Sequence, residues 1–211
     1  MYHKEWLLSK YETPDRWTIK AQKEGYPARS VYKLSEMDEK FGLLPKSTAR
    51  PFSVLDLGAS PGSWSLYVLR KLPGVRLCAA DLVPLSRRYD QGLFDRDTFY
   101  FVQGDIQDAA VREALGIRGP YHLILSDIAP ATTGNRLVDT QRSLELAECV
   151  LEYAAELLAP QGTVALKIFQ GGEEQALLQR LKGRFAVGRS YKPQASRSNS
   201  FETYYLGLGA R

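Results

Sequence analysis

Cysteine and histidine are both scarce in this sequence. The two cysteines, Cys78 and Cys149, form no Cys-x-x-Cys motif, and the two histidines, His3 and His122, have no ligand-like neighbours. This composition argues against a disulfide-stapled secreted scaffold and against a structural zinc site. We therefore predict no metal site, and two thiols of this kind suit a reducing cytoplasm.

Long apolar runs are absent as well. No stretch reaches the roughly 18 residues needed to span a bilayer. Residues 1–16 mix acidic and basic side chains without an apolar core, so we expect no signal peptide. The expected location is the cytoplasm, with no membrane partner.

The composition is that of an ordinary globular protein, 44% hydrophobic and 25% charged over 211 residues. A chain of this length predicts one domain. Within residues 1–211 we expect a basic extension and a helix at 1–50, followed by a sheet at 51–211.

The net charge of +4 is distributed unevenly along the chain. Lys and Arg outnumber Asp and Glu by ten to seven in residues 1–50 and by six to one in residues 182–211, but are outnumbered by twelve to sixteen in between. If the two basic ends meet in the fold, they form a positive face typical of a polyanion-binding site. Ordinary solvated surface charge is the alternative.

Short apolar or β-branched runs alternate with longer helical patterns from residue 51 onward, which predicts βαβ units and a mostly parallel sheet. The expected strands lie at residues 52–57, 75–80, 98–102, 121–125, 163–168, 185–189 and 203–208. No helical pattern separates the last two strands. Because parallel neighbours need a long crossover, these two are expected to be antiparallel.

Two amphipathic helices and a linker are also predicted. Residues 30–41 carry apolar side chains along one face, and residues 135–158 carry an apolar stripe opposite a row of glutamates. Residues 44–51 form a short linker into the sheet.

The loop after the first strand, VLDLGASPGSW at residues 54–64, is the most informative segment. A strand ending at Asp56 runs into a turn with Gly58, Pro61 and Gly62 and then into a helix, which is where an open α/β sheet binds the polar part of a ligand. The glycine spacing is not the dinucleotide G-x-G-x-x-G, which disfavours a NAD-dependent dehydrogenase. A purely structural turn is the alternative.

This loop resembles the S-adenosylmethionine motif of the RrmJ/FtsJ-type (RlmE-like) ribosomal RNA 2′-O-methyltransferases. The resemblance covers nearly the whole chain, because four further segments follow the family pattern in the same order: AQKEGYPARSVYKL at 21–34, SDIAP at 126–130, VALKIFQG at 164–171 and SRSNSFETY at 196–204. It implies a class I, Rossmann-like α/β methyltransferase with a seven-stranded, mostly parallel sheet, one antiparallel edge strand and helices on both faces.

The resemblance also implies a set of cofactor-binding residues. It places an acid on the ribose hydroxyls, an acid on the adenine amino group, and a tryptophan along the pocket, with a glycine close to the methionine portion. These are Asp81, Asp105, Trp64 and Gly62, joined by Gly58, Pro61 and Asp127 from the same loops. Taken from the sequence alone, Asp105 fits a helix N-cap nearly as well, and Trp64 fits simple core packing.

Catalysis in this family implies a Lys-Asp-Lys-Glu tetrad, matched here by Lys33, Asp127, Lys167 and Glu202. Asp127 and Lys167 each end an apolar strand, where charge is costly unless paired or functional; a structural ion pair is the alternative. Methyl transfer to a ribose needs a hydroxyl that loses its proton. We hypothesise that Lys167 takes that proton or stabilises the alkoxide, that Asp127 holds Lys167, and that Lys33 and Glu202 orient the hydroxyl.

The expected partner is large-subunit rRNA or the assembled large ribosomal subunit, methylated on a uridine, rather than DNA, with the protein a monomer. Candidates for RNA backbone contact are Lys20, Lys23, Arg29, Arg189, Lys192 and Arg197, with Tyr26 and Tyr32 for stacking. Residues 131–134 (ATTG) depart from the bacterial pattern, which leaves open a tRNA-directed relative. A non-catalytic RNA-binding ribosome-assembly module is the alternative from another class.

Overall fold

A computed structural model describes residues 14–46, 51–172, 174–197 and 200–211. Some of the predictions above therefore lie wholly or partly outside the described residues. They concern His3, most of the N-terminal segment 1–16, part of the linker at 44–51 and part of the motif at 196–204.

Seven strands form one sheet in the described part of the chain, in the order β3-β2-β1-β4-β5-β7-β6. They are β1 (Ser53–Leu57), β2 (Arg76–Asp81), β3 (Phe99–Gln103), β4 (Tyr121–Ser126), β5 (Leu158–Phe169), β6 (Phe185–Tyr191) and β7 (Glu202–Ala210). The first five strands are mutually parallel, whereas β7 is antiparallel to both β5 and β6. The predicted fold class is confirmed. The antiparallel strand lies one place in from the edge, because the β6–β7 connection has no crossover helix and β7 folds back between β5 and β6.

Helices flank the sheet on both faces. They are α1 (Arg16–Lys23), α2 (Val31–Phe41), α3 (Ser63–Lys71), α4 (Ala109–Gly116), α5 (Arg136–Leu157) and α6 (Glu174–Arg184). The helix predicted at 135–158 is α5, with Asn135 as its N-cap accepting hydrogen bonds from the next turn. In its apolar stripe Ala147, Leu151 and Ala154 are buried and Leu144 is half-buried, whereas the glutamate row is exposed, because one side of a 3.6-residue period faces the sheet. Leu158, the predicted last residue of the helix, begins β5. The helix α1 lies within the extension that the sequence left unspecified.

The two faces of the sheet bury separate apolar cores. Helices α4, α5 and α6 cover one face, where Leu166 and Ile168 of β5 point. Helices α2 and α3 cover the other, where the neighbouring Ala165 points. Successive strand residues alternate between faces, so Lys167 shares the α2 side with Ala165. Within the described ranges, no helix combines the length and apolar character needed to cross a bilayer.

Candidate active site

A cavity of about 400 Å³ opens at the carboxyl ends of the parallel strands. Such clefts are where open α/β sheets bind ligands, because the loops that follow the strands diverge there. Its walls come from the loops after β1, β2, β3 and β4, and include Gly58, Ser60, Asp81, Asp105, Asp127 and Ile128. The volume lies within the range of small-molecule sites, roughly 300–1,000 Å³.

Two acids that the resemblance assigns to cofactor binding lie in this wall. Asp81 ends β2 and accepts hydrogen bonds from the amides of Ser60 (2.8 Å) and Val83 (2.9 Å). Those bonds fix the carboxylate, and each oxygen keeps a lone pair for another donor. Asp105 follows β3 and accepts from the Gln107 amide at 2.9 Å. The N-cap of α4 is Asp108, not Asp105, so the alternative of Asp105 as a helix cap is wrong.

The turn after β1 requires glycine at Gly58. Its φ is +75°, and a Cβ atom there would lie 2.3 Å from Cγ1 of Ile128 and 3.0 Å from the Ile128 backbone. A left-handed conformation and a close backbone approach both favour a residue without a side chain. The β1 and β4 loops therefore pack directly against one another at the floor of the cavity.

The structure does not bring Pro61, Gly62 or Trp64 to the wall of this cavity. Gly62 begins α3 with φ +106°, and a Cβ atom there would meet the ring of Phe94 at 2.9 Å. Trp64 is buried in the core under α2, with its indole N–H donating to the Ser30 carbonyl at 2.8 Å. The contribution of Trp64 to cofactor binding stays a prediction, and its ring packs on the α2 side of α3.

Asp127 and Lys167 form the centre of the predicted tetrad. Nζ of Lys167 donates to Oδ1 of Asp127 at 2.9 Å and to the Asp127 carbonyl at 2.6 Å. The hydroxyl of Tyr204 donates to the same Oδ1 at 2.6 Å. Burial by itself would raise the pKa of Asp127, but Lys167, Lys33 and the Tyr204 hydroxyl outweigh it, and the net pKa is lowered. Asp127 is therefore a carboxylate.

The other two tetrad members are paired with each other. Nζ of Lys33, on α2, lies 2.6 Å from Oε1 of Glu202, the first residue of β7, and both side chains are about one-tenth exposed. In the β5–β7 ladder Lys167 is opposite Tyr204, and Phe169 is opposite Glu202. Residues two apart share a face, so Lys167, Tyr204 and Glu202 all point toward α2. All four predicted residues are thus brought together.

A glutamate on α2 joins the two basic ends of the chain. Glu36 accepts hydrogen bonds from the amides of Gln194 (2.7 Å) and Ala195 (2.8 Å) in the β6–β7 loop. The guanidinium of Arg29 donates to the Ala195 carbonyl at 2.5 Å and pairs with Asp15. The two basic ends therefore meet in the fold, because residues 194 and 195 are bound to the helix that carries Lys33.

The predicted RNA contacts differ in their exposure to solvent. Exposed ones are Lys20, Lys23, Arg189, Lys192 and Arg197. Arg29 is committed to Asp15 and Ala195. Tyr32 is buried against Trp17, with its hydroxyl donated to Glu24, and the ring of Tyr26 lies under the guanidinium of Arg70. The prediction that Tyr32 is available for stacking is wrong, because α1 covers it.

Within the described ranges, no group of three His, Cys, Asp or Glu side chains is arranged so that it could hold a metal ion. His122 instead stacks on Phe52 and accepts the Ser53 amide hydrogen at 3.1 Å.

Comparison with known proteins decides the family. The profile of the FtsJ-like methyltransferases matches residues 26–210. The chain belongs to the FtsJ-like methyltransferase family. Similar relatives are two proteins named "Ribosomal RNA large subunit methyltransferase E". The Treponema denticola protein is 48% identical and covers 95% of this chain and 96% of the relative, and the Borrelia garinii subsp. bavariensis protein is 42% identical and covers 93% and 97%.

Solved structures of methyltransferases share the fold of this FtsJ-like chain. A ribosomal RNA methyltransferase of Plasmodium falciparum has a TM-score of 0.72 and 25% identity, covering 88% of this chain and 98% of that one. Human methyltransferase-like protein 13, crystallised with SAH, has a TM-score of 0.59 and 16% identity, covering 84% and 82%. The resemblance read from the sequence motifs is therefore confirmed at the level of family and fold.

The sequence motifs did not single out two side chains of this FtsJ-like site. Tyr204 is fully buried, and its pKa is raised well above the usual value by burial and by Asp127, so its hydroxyl stays a donor. Its position opposite Lys167 follows only from the β5–β7 register. In the sequence Glu36 is one more charge on an amphipathic helix. Nothing near it in the chain marks its role, because its partners, Gln194 and Ala195, lie about 160 residues away.

Proposed function

We propose that this protein transfers a methyl group from S-adenosylmethionine to the 2′-hydroxyl of a uridine in large-subunit rRNA during ribosome assembly. The observation that carries the proposal is the Asp127–Lys167 contact, 2.9 Å long, at the rim of an acid-lined cavity. The names of the relatives support the ribosomal substrate, and family membership supports methyl transfer.

The residues of the cavity fit S-adenosylmethionine. Asp81 and Asp105 offer carboxylate oxygens for hydroxyl and amino donors, and Gly58 keeps the floor free of a side chain. Asp127 brings a further negative charge to the same wall, which suits a ligand with two cationic groups. When bound, the cofactor supplies an electrophilic methyl group. We assign Asp81, Asp105, Gly58 and Asp127 to its binding, with Pro61 and Gly62 shaping the turn from behind.

Lys167 acts on the 2′-hydroxyl in this proposal. Two of the three donor positions of its Nζ are directed to Asp127, which leaves one for a substrate oxygen. A protonated Nζ donates from that position to the emerging alkoxide, whereas a neutral Nζ presents its lone pair there and takes the hydroxyl proton. Tyr204 and Asp127 fix the direction of the amine, so the oxygen meets a preset donor.

Lys33 and Glu202 orient the ribose in this proposal. Their contact is nearly buried and combines a donor with an acceptor, which suits a hydroxyl that must both donate and accept. Recognition through a 2′-hydroxyl selects RNA over DNA. The exposed lysines and arginines beside this pair support contact with the phosphate backbone. We further propose that the protein works as a cytoplasmic, single-domain monomer without a membrane partner.

The experiment that tests the proposal uses labelled S-adenosylmethionine with unmodified large ribosomal subunits, free rRNA and tRNA in parallel. Methylation-sensitive primer extension then locates the label. We expect label on a uridine ribose of the large-subunit rRNA. Label on tRNA alone would keep the chemistry and overturn the substrate. Cofactor binding without any transfer would favour the RNA-binding assembly module instead.

A further inference from the structure

A second groove, of about 570 Å³, lies on the α5 side of the β5 terminus, and the mechanism above does not use it. The first turns of α5 form one wall, with Leu137, Val138 and Gln141, and the end of β5 forms the other, with Ile168 and Phe169. The groove begins at Ile168, the residue that follows Lys167 on β5. Because a strand rises about 3.3 Å per residue, the backbone of Phe169 is about 7 Å along β5 from the backbone of Lys167.

The α5 wall exposes apolar side chains. Leu137 is 77% exposed and Val138 is 37% exposed. One exposed leucine needs no explanation, but two consecutive apolar residues that line a groove form a contact surface. Neither has a role in the fold that requires this exposure, since the N-cap bonds of α5 are made by Asn135.

Phe169 lines the β5 end of the groove, and it adjoins a second aromatic ring, Phe201, and a cation, Arg136, that are not part of the lining. The rings of Phe169 and Phe201 are 4.6 Å apart at an angle of 61°. Cζ of Arg136 lies 5.4 Å from the Phe201 ring centroid. Unstacked RNA bases are bound by aromatic rings and arginine planes of this kind.

The aromatic pair is continuous with the proposed catalytic residues. Phe201 immediately precedes Glu202, and Phe169 is opposite Glu202 in the β5–β7 ladder. Arg142 and Glu145 both line the groove, and Arg136, which precedes Leu137, adds a positive charge beside it. The groove lies on the α5 side of β5 and the Lys167 amine on the α2 side, so an RNA strand that reaches both would pass over the carboxyl end of β5 at Phe169.

From these observations we propose that the groove between α5 and the end of β5 binds an unstacked base of the substrate RNA, at or next to the methylated nucleotide. This inference rests on the proposed function and adds a base-binding subsite to it. The groove holds the base while the tetrad holds the ribose, so its loss weakens RNA binding and leaves the chemical step in place.

The first test is steady-state methylation of unmodified large subunits by Phe169→Leu and Leu137→Glu variants. Phe169→Leu keeps the apolar packing but removes the stacking face, and Leu137→Glu places a negative charge on an exposed wall position where folding is not at risk. We expect the KM for the RNA to rise about tenfold in each, with kcat and cofactor affinity within about twofold. Phe169→Trp should restore the KM.

Tyr100→Ala is the matched control. Its ring lies 3.3 Å from Cζ of Arg118, an aromatic–arginine pair near the start of β3, at the opposite end of the strands. We expect no change in KM. A wild-type KM in both Phe169→Leu and Leu137→Glu would overturn the inference. So would an altered oligomeric state of Leu137→Glu in sedimentation with no change in KM, because the groove would then hold a second copy.

A binding measurement separates failure of this inference from failure of the proposed function. Single-stranded RNA oligonucleotides with 2-aminopurine report stacking by fluorescence quenching, without any methyl transfer. We expect quenching with the wild type that Phe169→Leu reduces and Tyr100→Ala preserves. If the wild type methylates no RNA, the proposed function fails while the quenching result still decides the groove. Equal quenching by wild type and Phe169→Leu would overturn the inference that the groove binds a base and would leave the proposed function untouched.

Discussion

Asp56 and Asp127 lie near the ends of adjacent parallel strands, β1 and β4, yet the protein shifts their pKa values in opposite directions. Burial raises the pKa of Asp56 to about 7, and the hydroxyl of Ser65, which donates at 2.7 Å, offsets it only in part. The pKa of Asp127 is lowered, because the effects of two lysines and of the Tyr204 hydroxyl outweigh the effect of burial. The difference between the two sites is the presence of cations from α2 and β5.

This contrast extends to the two halves of the crevice. The cofactor half is built by consecutive loops between residues 58 and 131, each at the end of a neighbouring strand. The substrate half is built by Lys33, Lys167 and Glu202 from distant parts of the chain. Loops of a parallel sheet meet at one edge by topology alone, whereas the substrate half depends on specific bonds such as those of Glu36. A substitution in the cofactor half should therefore leave RNA binding intact, and a substitution in the substrate half should leave cofactor binding intact.

The largest effect is expected from Lys167→Ala. Loss of the amine should lower kcat by about a thousandfold or more, within the range of acid–base and electrostatic contributions. Cofactor affinity, measured by calorimetry, should stay within a few-fold. Since the change leaves the Asp127 carboxylate without its cation, a thermal melt serves as the folding control, and Lys167→Met separates loss of the charge from loss of side-chain volume. A variant with near-normal turnover would contradict the assignment of Lys167.

Asp81→Asn should weaken binding in the cofactor half of the crevice. Loss of the charge on an acceptor of ribose hydroxyls should raise the Kd for S-adenosylmethionine about 10- to 100-fold, since a hydrogen bond to a charged group contributes about 1.5–3 kcal/mol. RNA affinity should not change. Asp97→Asn, on an exposed turn before β3, is the control. Equal loss of RNA and cofactor binding would show that the two halves are not separable.

Glu36→Gln should weaken the substrate half by a smaller amount. Glutamine keeps one acceptor oxygen and loses the other, so one of the two amide bonds to the β6–β7 loop is lost. We expect the KM for the RNA to rise about five- to tenfold, with cofactor affinity unchanged. Glu39→Gln, on the exposed side of α2 where Glu39 accepts from Ser35, should behave as wild type. A fall in cofactor affinity instead would assign Glu36 to general stability.

Asp56→Asn should change the pH dependence of stability. The pKa of Asp56 is about 7 in the fold and about 3.9 in the unfolded chain. The unfolded state therefore ionises first, and this group lowers stability as pH rises from about 4 to about 7, by up to about 4 kcal/mol at 1.36 kcal/mol per unit. Urea unfolding between pH 5 and pH 8 should show this loss in the wild type and not in Asp56→Asn. Asp127 acts with the opposite sign, since its contribution is lost as pH falls through its lowered pKa. Identical slopes in both proteins would contradict a raised pKa for Asp56.

The sequence by itself determined the seven strands and the two amphipathic helices, and its motifs predicted four residues that the fold brings together. Alternation of apolar and polar residues is a local property, and a motif such as SDIAP keeps its residues together whatever the rest of the chain does. The missing helix between the last two strands also predicted their antiparallel pairing.

Only the tertiary structure decided which side chains face the cavity. Trp64 and Tyr32 carry ordinary aromatic signals, but α2 covers the first and α1 the second. Tyr204 reaches Asp127 because β7 inserts beside β5 in one register, and Glu36 finds its partners in a loop at the other end of the chain. These contacts join segments that are distant in sequence, and no local pattern records which distant groups a side chain will meet.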